Sequence, residues 1–181
     1  RIIRAAYKKA PHAAFSIHAG DLVNSAHKDR EWAEWFKAGG WIHSSVPSIP
    51  VSGNHEYAGL KIDGKDKGNH LSIQWRSQFA LPVADVPDSL AETDYTLDYQ
   101  GLRVIALNSN REVEAQAKWL ETVLAKNPCK WTVVTMHHPM FSSGSGRDNA
   151  KNRKVLKPVI DKYQVDLLLQ GHDHTYARGH T

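Results

Sequence analysis

Along the chain, segments whose hydrophobic residues have the spacing of strands alternate with segments whose hydrophobic residues have the spacing of helices. Short apolar runs of strand length lie at residues 14–18, 49–52, 131–136 and 165–169. Residues 95–99 alternate in polarity, Gln100 and Gly101 form a turn signal, and residues 102–107 are apolar again, which predicts a hairpin. The mixture of strand and helix periods predicts an α/β layered domain.

Apolar residues at helical spacing predict the remaining elements. The predicted helices cover residues 2–10, 29–41, 71–79 and 111–126, and a fifth is centred on residues 155–163. In the fifth, Pro158 should either kink the helix or lie in its first turn, because proline has no N–H to donate. Residues 56–69 are rich in Gly, Lys and Asp and predict a loop.

Four apolar strands run directly into polar segments, and this is the most informative regularity. In open α/β sheets the ligand site lies beyond the carboxyl ends of the strands. The side chains that this rule brings to one edge are Asp21, Asn54, His137 and His172. Sharp backbone turns are expected at the neighbouring glycines, Gly20, Gly53 and Gly171.

Composition narrows the chemistry further. The 181 residues suffice for one domain with its own core, and no apolar run approaches the roughly 18 residues that span a bilayer. The net charge of +4 is dispersed, so nucleic-acid binding is not expected. Cys129 is the only cysteine, which excludes thiolate zinc sites and leaves oxygen and imidazole ligands. Such a set suits zinc, manganese or iron.

Two metal ions about 3.5–4 Å apart can clamp a phosphoryl group, provided that a carboxylate bridges them. Asp21 is the natural bridging candidate. Each residue also has a simpler interpretation: Asp21 could cap a helix, and Asn54 and His55 could be turn residues. The four polar strand ends together favour the metal site.

These segments resemble the motifs of calcineurin-like metallophosphoesterases, and within them the purple acid phosphatases and their bacterial relatives. The matching stretches are Ala19-Gly20-Asp21-Leu22-Val23, Gly53-Asn54-His55-Glu56, Val134-Thr135-Met136-His137-His138-Pro139-Met140 and Gly171-His172-Asp173-His174. The resemblance implies a four-layer α/β/β/α sandwich, in which two packed sheets are flanked by helices, as one domain over residues 1–181. It also implies two divalent or trivalent metal ions, Fe, Zn or Mn.

The resemblance implies a role for each motif residue. Asp21 would bridge the metals, and His174 would bind the first metal. The other ligands of the second metal would be Asn54, His137 and His172. His55 would hold the substrate phosphate or protonate the leaving group, since imidazole titrates near neutral pH. His138 is interpreted as a neighbour of the ligands.

The loop of residues 142–148, rich in Ser and Gly, follows a ligand strand and has two interpretations. It could be a substrate loop in which Arg147 reaches the phosphate. It could equally be a flexible connection with Asp148 as a helix cap. The sequence leaves both open.

Two departures from the family pattern stand out. Residues 1–20 contain no Asp, Glu or Asn, so the first metal motif is missing and the domain is expected to be incomplete at both ends. The first metal would then have only Asp21 and His174. The family's colour-giving Tyr, three residues after the bridging Asp, is replaced by Asn24, so a purple protein is not expected and the metal identity is open.

The resulting hypothesis is hydrolysis of a phosphorylated small molecule or nucleotide through attack by a metal-bound hydroxide. The alternative is a catalytically inactive, metal-binding portion of a larger protein, motivated by the missing motif. A His-x-His site like that of metallo-β-lactamase-like hydrolases is disfavoured, because Thr175 and Tyr176 follow His174 instead of Asp-His. The resemblance favours an extracytoplasmic or secreted location, although no targeting segment is visible.

Overall fold

A computed structural model describes residues 2–63, 65–83 and 85–180. Its elements, in chain order, are α1 (Ile2–Lys9), β1 (Ser16–His18), α2 (Asp29–Gly39), α3 (Trp41–Ser45), β2 (Ser48–Pro50), β3 (Tyr57–Ile62), β4 (Lys65–Leu71), α4 (Ile73–Gln78), β5 (Tyr95–Tyr99), β6 (Leu102–Leu107), α5 (Val113–Ala125), β7 (Trp131–Met136), α6 (Ala150–Lys162) and β8 (Leu167–Gln170). Short 3-10 turns lie at Asn54–Glu56 and Asp88–Leu90. None of the helices described is long and apolar enough to cross a bilayer.

The main sheet has the strand order β5-β6-β7-β8. The hairpin predicted for β5 and β6 is confirmed, and its two turn residues, Gln100 and Gly101, both have positive φ angles, 47° and 81°. Such a turn matches the twist of the strands that it joins. β6, β7 and β8 run parallel, and α5 and α6 form the crossovers between them. Their carboxyl ends therefore meet at one edge.

Alternation of side chains along the strands divides the core into two layers. Ile105 and Leu107 face one side of the main sheet, where they pack with buried residues of α5 and α6 such as Leu120 and Leu156. On the other side of the main sheet, residues such as Val104 belong to a second cluster. Its other buried members are Tyr95, Ala106 and Val133 of the main sheet, Ile49 of β2, and Val51 directly after β2.

The second sheet consists of β1 and β2 in parallel, and it carries helices on its outer side. His18 of β1 contacts the ring of Trp35 in α2, with 5.5 Å between ring centroids. Trp35 in turn stacks on His43 of α3 at 4.1 Å. The order helix, sheet, sheet, helix confirms the predicted four-layer α/β/β/α sandwich.

The loop predicted for residues 56–69 is wrong, because β3 and β4 pair there as an antiparallel hairpin. Residues 67–70 are all exposed, so neither face of this ribbon needs apolar side chains. A hairpin that buries so little leaves no period-two signal in the sequence.

Two helix predictions also need correction. The helix expected over residues 29–41 is divided into α2 and α3 at Gly40, whose φ angle of 58° ends the first helix. The fifth helix begins at Ala150, so Pro158 lies inside it and not in its first turn. Residues 151–154, at the start of this helix, are all polar, so the spacing of apolar residues did not reveal where the helix begins.

Candidate metal centre

The ends of β1, β2, β7 and β8 deliver four of the predicted ligands to one point. His137 Nε2 lies 3.1 Å from Asp21 Oδ2, 3.1 Å from Asn54 Oδ1 and 3.1 Å from His172 Nδ1. The donor atoms of Asp21, His137 and His172 all lie within 4.8 Å of one another. This group is the candidate metal cluster found among the described residues. His174 is exposed and does not belong to it.

The chemistry of these donors fits a cation. The second ring nitrogen of His137, Nδ1, is 2.7 Å from the Ala19 carbonyl oxygen, so Nδ1–H donates to that oxygen and Nε2 faces the other three lone-pair atoms. Burial opposes a charge on His137, but the Asp21 carboxylate and the Ala19 carbonyl outweigh it and raise the pKa of the imidazole above its ordinary value. A proton on His137 thus offsets part of the repulsion between these lone-pair atoms, and a bound metal ion would offset it more completely.

Two of the ligands adopt an uncommon backbone conformation. Asp21 and His172 have φ angles of 51° and 67°, in the left-handed region that residues with a Cβ seldom occupy. Such a conformation persists only where the surroundings impose it. At His172, Arg147 Nη1 donates to the backbone carbonyl oxygen at 3.0 Å.

The segment around Asp21 is held by Glu56, a fully buried carboxylate. Glu56 Oε2 accepts the N–H groups of Asp21 at 2.9 Å and Gly53 at 2.7 Å. Glu56 Oε1 accepts the N–H groups of Leu22 at 2.8 Å and Val23 at 3.4 Å. Burial raises the pKa of Glu56, against the pull of these donors. One carboxylate thereby ties the loop after β1 to the loop after β2.

The glycines next to the ligands matter more for space than for turning. Gly20 has the positive φ angle, 85°, that the sequence analysis expected, but Gly53 and Gly171 do not. A Cβ on Gly53 would overlap Asp21 Oδ1, and a Cβ on Gly171 would lie 2.5 Å from the Ala19 carbonyl oxygen. The absence of side chains lets the four strand ends approach one another.

His55 lies at the rim of the centre with one ring nitrogen engaged. Its Nδ1 is 2.7 Å from the carbonyl oxygen of Asn24, which therefore accepts the Nδ1–H. Its Nε2 is 4.0 Å from Asp21 Oδ2, and the side chain is 41% exposed. The backbone N–H of His55 donates to Asp21 Oδ1 at 3.0 Å. The ring is thus oriented towards the carboxylate and remains accessible from solvent.

The loop after β7 is ordered against the last ligand segment. Asp173 accepts hydrogen bonds from Ser142 and from the N–H groups of Ser143 and Gly144, and these contacts lower its pKa to about 2, the Ser142 hydroxyl having the largest effect. The Asp148 cap considered from sequence is absent: Asn149 precedes α6 without a side-chain cap, and Asp148 instead pairs with Arg153 at 2.6 Å.

Sequence reasoning missed a fifth polar strand end, at β6. Ser109 Oγ accepts the backbone N–H of His138 at 2.9 Å and lies 2.9 Å from His138 Nδ1. Burial, with the neighbouring His137, lowers the pKa of His138 to about 4. Asn110 Nδ2 donates to the carbonyl oxygen of Ser52, just before the Asn54 loop. The triplet Asn108-Ser109-Asn110 after an apolar strand was the signal that could have revealed this support.

Comparison with known proteins agrees with this geometry. The family model of the calcineurin-like phosphoesterases matches residues 1–176. An uncharacterised Mycobacterium tuberculosis protein is 30% identical over 92% of this chain and 35% of its own length. Purple acid phosphatase 21 of Arabidopsis thaliana is 28% identical over 88% of this chain and 37% of its own length.

The fold also matches a solved structure. A purple acid phosphatase from yellow lupin (Lupinus luteus) seeds superposes with a TM-score of 0.76 at 21% identity, covering 95% of this chain and 32% of that one. The chain therefore spans about a third of the length of these relatives. With a family model matched along nearly its whole length, the chain belongs to the calcineurin-like phosphoesterases.

Proposed function

We propose that this protein hydrolyses phosphoesters with the help of two metal ions. The observation that carries the proposal is the convergence of Asp21 Oδ2, Asn54 Oδ1 and His172 Nδ1 on His137 Nε2, each at 3.1 Å. When bound, metal ions at such a site polarise the phosphoryl group and lower the pKa of water towards neutrality.

The protein side chains would bind the metal ions and the substrate phosphate and transfer a proton. Asp21 would bridge the two ions, and His174 would join it at the first one. His55 would hold the phosphate or give a proton to the leaving oxygen through Nε2, because its Nδ1–H is committed to the Asn24 carbonyl.

The substrate class is a phosphorylated small molecule or a nucleotide. An anionic substrate suits the net charge of +4, which gives the surface a mildly attractive field. A location outside the cytoplasm remains a prediction from the family resemblance.

A second candidate is a metal-binding domain without activity. The position of His174, exposed and outside the ligand group, favours it, because a single metal would then be held. Relatives with the printed name "probable inactive purple acid phosphatase", such as number 24 of Arabidopsis thaliana at 29% identity, give it further support.

The two candidates differ in rate and in metal content. The full-length protein should hydrolyse an aryl phosphate only when a divalent metal is supplied, and it should hold about two metal ions per chain. Asp21→Ala and His55→Ala should each lower the rate by about a hundredfold or more. His12→Ala is the matched control and should leave the rate unchanged, because His12 is exposed in the turn between α1 and β1 and lies outside the four motifs. Full activity in both site variants would refute the assignment.

A further inference from the structure

The loop of residues 142–147 is fastened by one carboxylate. Asp173 Oδ2 accepts the Ser142 hydroxyl at 2.7 Å, the Ser143 N–H at 2.7 Å and the Gly144 N–H at 3.0 Å, and the Ser143 hydroxyl donates to it at 3.4 Å. The Asp173 side chain is only 6% exposed, although it stands in the segment between His172 and His174. A loop rich in Ser and Gly has little packing of its own, so these charge-assisted bonds fix its shape.

The same loop touches the ligand segment on both sides of His174. Arg147 Nη1 donates to the carbonyl oxygen of His172 at 3.0 Å and lies 3.4 Å from Asp173 Oδ1. Beyond His174, the hydroxyls of Ser143 and Thr175 lie 2.6 Å apart. The loop is therefore a fixed neighbour of the metal motif.

The packing between loop and carboxylate leaves no room for an extra atom. A Cβ on Gly144 would lie 3.0 Å from Asp173 Oδ1 and 3.0 Å from Arg147 Cδ, closer than most real contacts of that kind. A guanidinium carries five N–H donors, and the contacts that Arg147 makes within the described residues use Nη1. The side chain is 48% exposed, so its other donors are open to an anion that approaches from solvent.

We propose that Asp173 is a positioning residue that fixes the 142–147 loop as a wall of the metal cleft, with Arg147 held where it binds the phosphate of the substrate. The inference rests on the proposed function. It assigns to Asp173, which is not a metal ligand, the control of the affinity for phosphate. Asp173 acts through the loop and touches neither metal nor substrate.

The test compares Asp173→Ala with Asp173→Asn in the full-length protein. Alanine removes every acceptor. Asparagine can turn its oxygen towards the loop donors that Oδ2 accepts and should preserve most of the order. Ser145→Ala is the matched control, because Ser145 lies in the same loop, is exposed and has no side-chain hydrogen bond within the described residues. The measured quantities are amide exchange of residues 143 and 144, the affinity for zinc or manganese, the affinity of the metal-loaded protein for inorganic phosphate, and KM and kcat for an aryl phosphate.

Asp173→Ala should speed the exchange of both amides, weaken phosphate binding and raise KM by roughly tenfold, and leave kcat within about twofold. Asp173→Asn should stay within about threefold of the parent protein in KM. Ser142→Ala removes one of the bonds to Asp173 Oδ2 and the hydroxyl oxygen that accepts the Gly144 N–H at 3.1 Å, so it should give a smaller change in the same direction. It replaces Asp173→Ala if that variant does not fold.

Three results would overturn the proposal. Unchanged amide exchange in Asp173→Ala would show that the carboxylate does not hold the loop. Faster exchange without weaker phosphate binding would show that the loop does not serve the ligand. A loss of metal affinity as large as the loss of phosphate affinity would show that Asp173 supports the metal ligands. If the parent protein hydrolyses no phosphoester, the proposed function fails, whereas exchange and phosphate affinity still decide the role of Asp173.

Discussion

Glu56→Gln would remove half of the acceptor capacity that holds the two metal loops together. The carboxylate accepts four backbone N–H groups, two at each oxygen. Glutamine keeps one oxygen and places an NH2 group at the other position, where it meets two donors. Whichever way the amide turns, a pair of buried N–H groups loses its acceptor: either those of Asp21 and Gly53 or those of Leu22 and Val23.

The cost can be worked out from these contacts. A buried donor that loses its partner costs about 1–3 kcal/mol, so two donors cost about 2–6 kcal/mol. Relief of the buried charge offsets part of this, because burial already raises the pKa of Glu56. We therefore expect the free energy of unfolding to fall by about 2–4 kcal/mol, a large share of the roughly 5–15 kcal/mol of a typical domain.

The same change should weaken metal binding, because the Asp21 backbone would no longer be fixed in its left-handed conformation. Loss of a partner that orients a ligand lowers metal affinity by about 10–100-fold. Urea unfolding of the metal-free protein and calorimetric titration with zinc or manganese measure the two effects. Glu34→Gln, on the exposed face of α2 with its side chain 61% exposed, is the control and should change stability by less than about 0.5 kcal/mol. If Glu56→Gln behaves like Glu34→Gln in both assays, the carboxylate does not hold the loops.

Two further predictions concern pH and packing. Burial, assisted by the nearby His43, lowers the pKa of His18 from its ordinary value of 6.5 to about 4. Between pH 6.5 and pH 4 the unfolded chain therefore binds more protons than the folded one, and stability should fall as the pH decreases through that range. Thermal unfolding against pH should show a shallower decline for His18→Gln, and an identical decline would contradict this assignment. Gly53→Ala should destabilise the protein by more than about 2 kcal/mol, because its Cβ would overlap Asp21 Oδ1. Gly59→Ala, whose Cβ would have its nearest contact at 3.8 Å, should cost less than about 1 kcal/mol. Equal melting temperatures for the two variants would refute the steric argument.

The sequence predicted the meeting of Asp21, Asn54, His137 and His172 from two features: which strands are buried, and that parallel strands of one sheet end at the same edge. The two features are visible as apolar runs followed by polar residues. These four residues follow strands of two sheets, so their meeting also depends on how the sheets pack, which the apolar runs do not encode. The four-layer architecture came from the resemblance, since periodicity alone supports no more than a mixed α/β domain. The β3–β4 hairpin was missed because its exposed strands carry no apolar alternation.

The supporting contacts lay beyond sequence reasoning for a different reason. Glu56 and Asp173 were visible inside motifs, but which backbone N–H groups a carboxylate accepts depends on loop conformations that no pattern encodes. The partnership of Ser109 with His138 joins residues 29 positions apart through the register of β6 and β7. For His174, the motif predicted a ligand, whereas the structure leaves it exposed and outside the group.

The central claim is that Asp21, Asn54, His137 and His172 together hold a metal ion. Anomalous diffraction at the metal edge, from crystals of the full-length protein grown with zinc or manganese, tests it most directly. We expect a peak among the four donor atoms, about 2.0–2.2 Å from the imidazole nitrogens and the carboxylate oxygen. No peak at that position, or a peak only at other residues, would contradict the account.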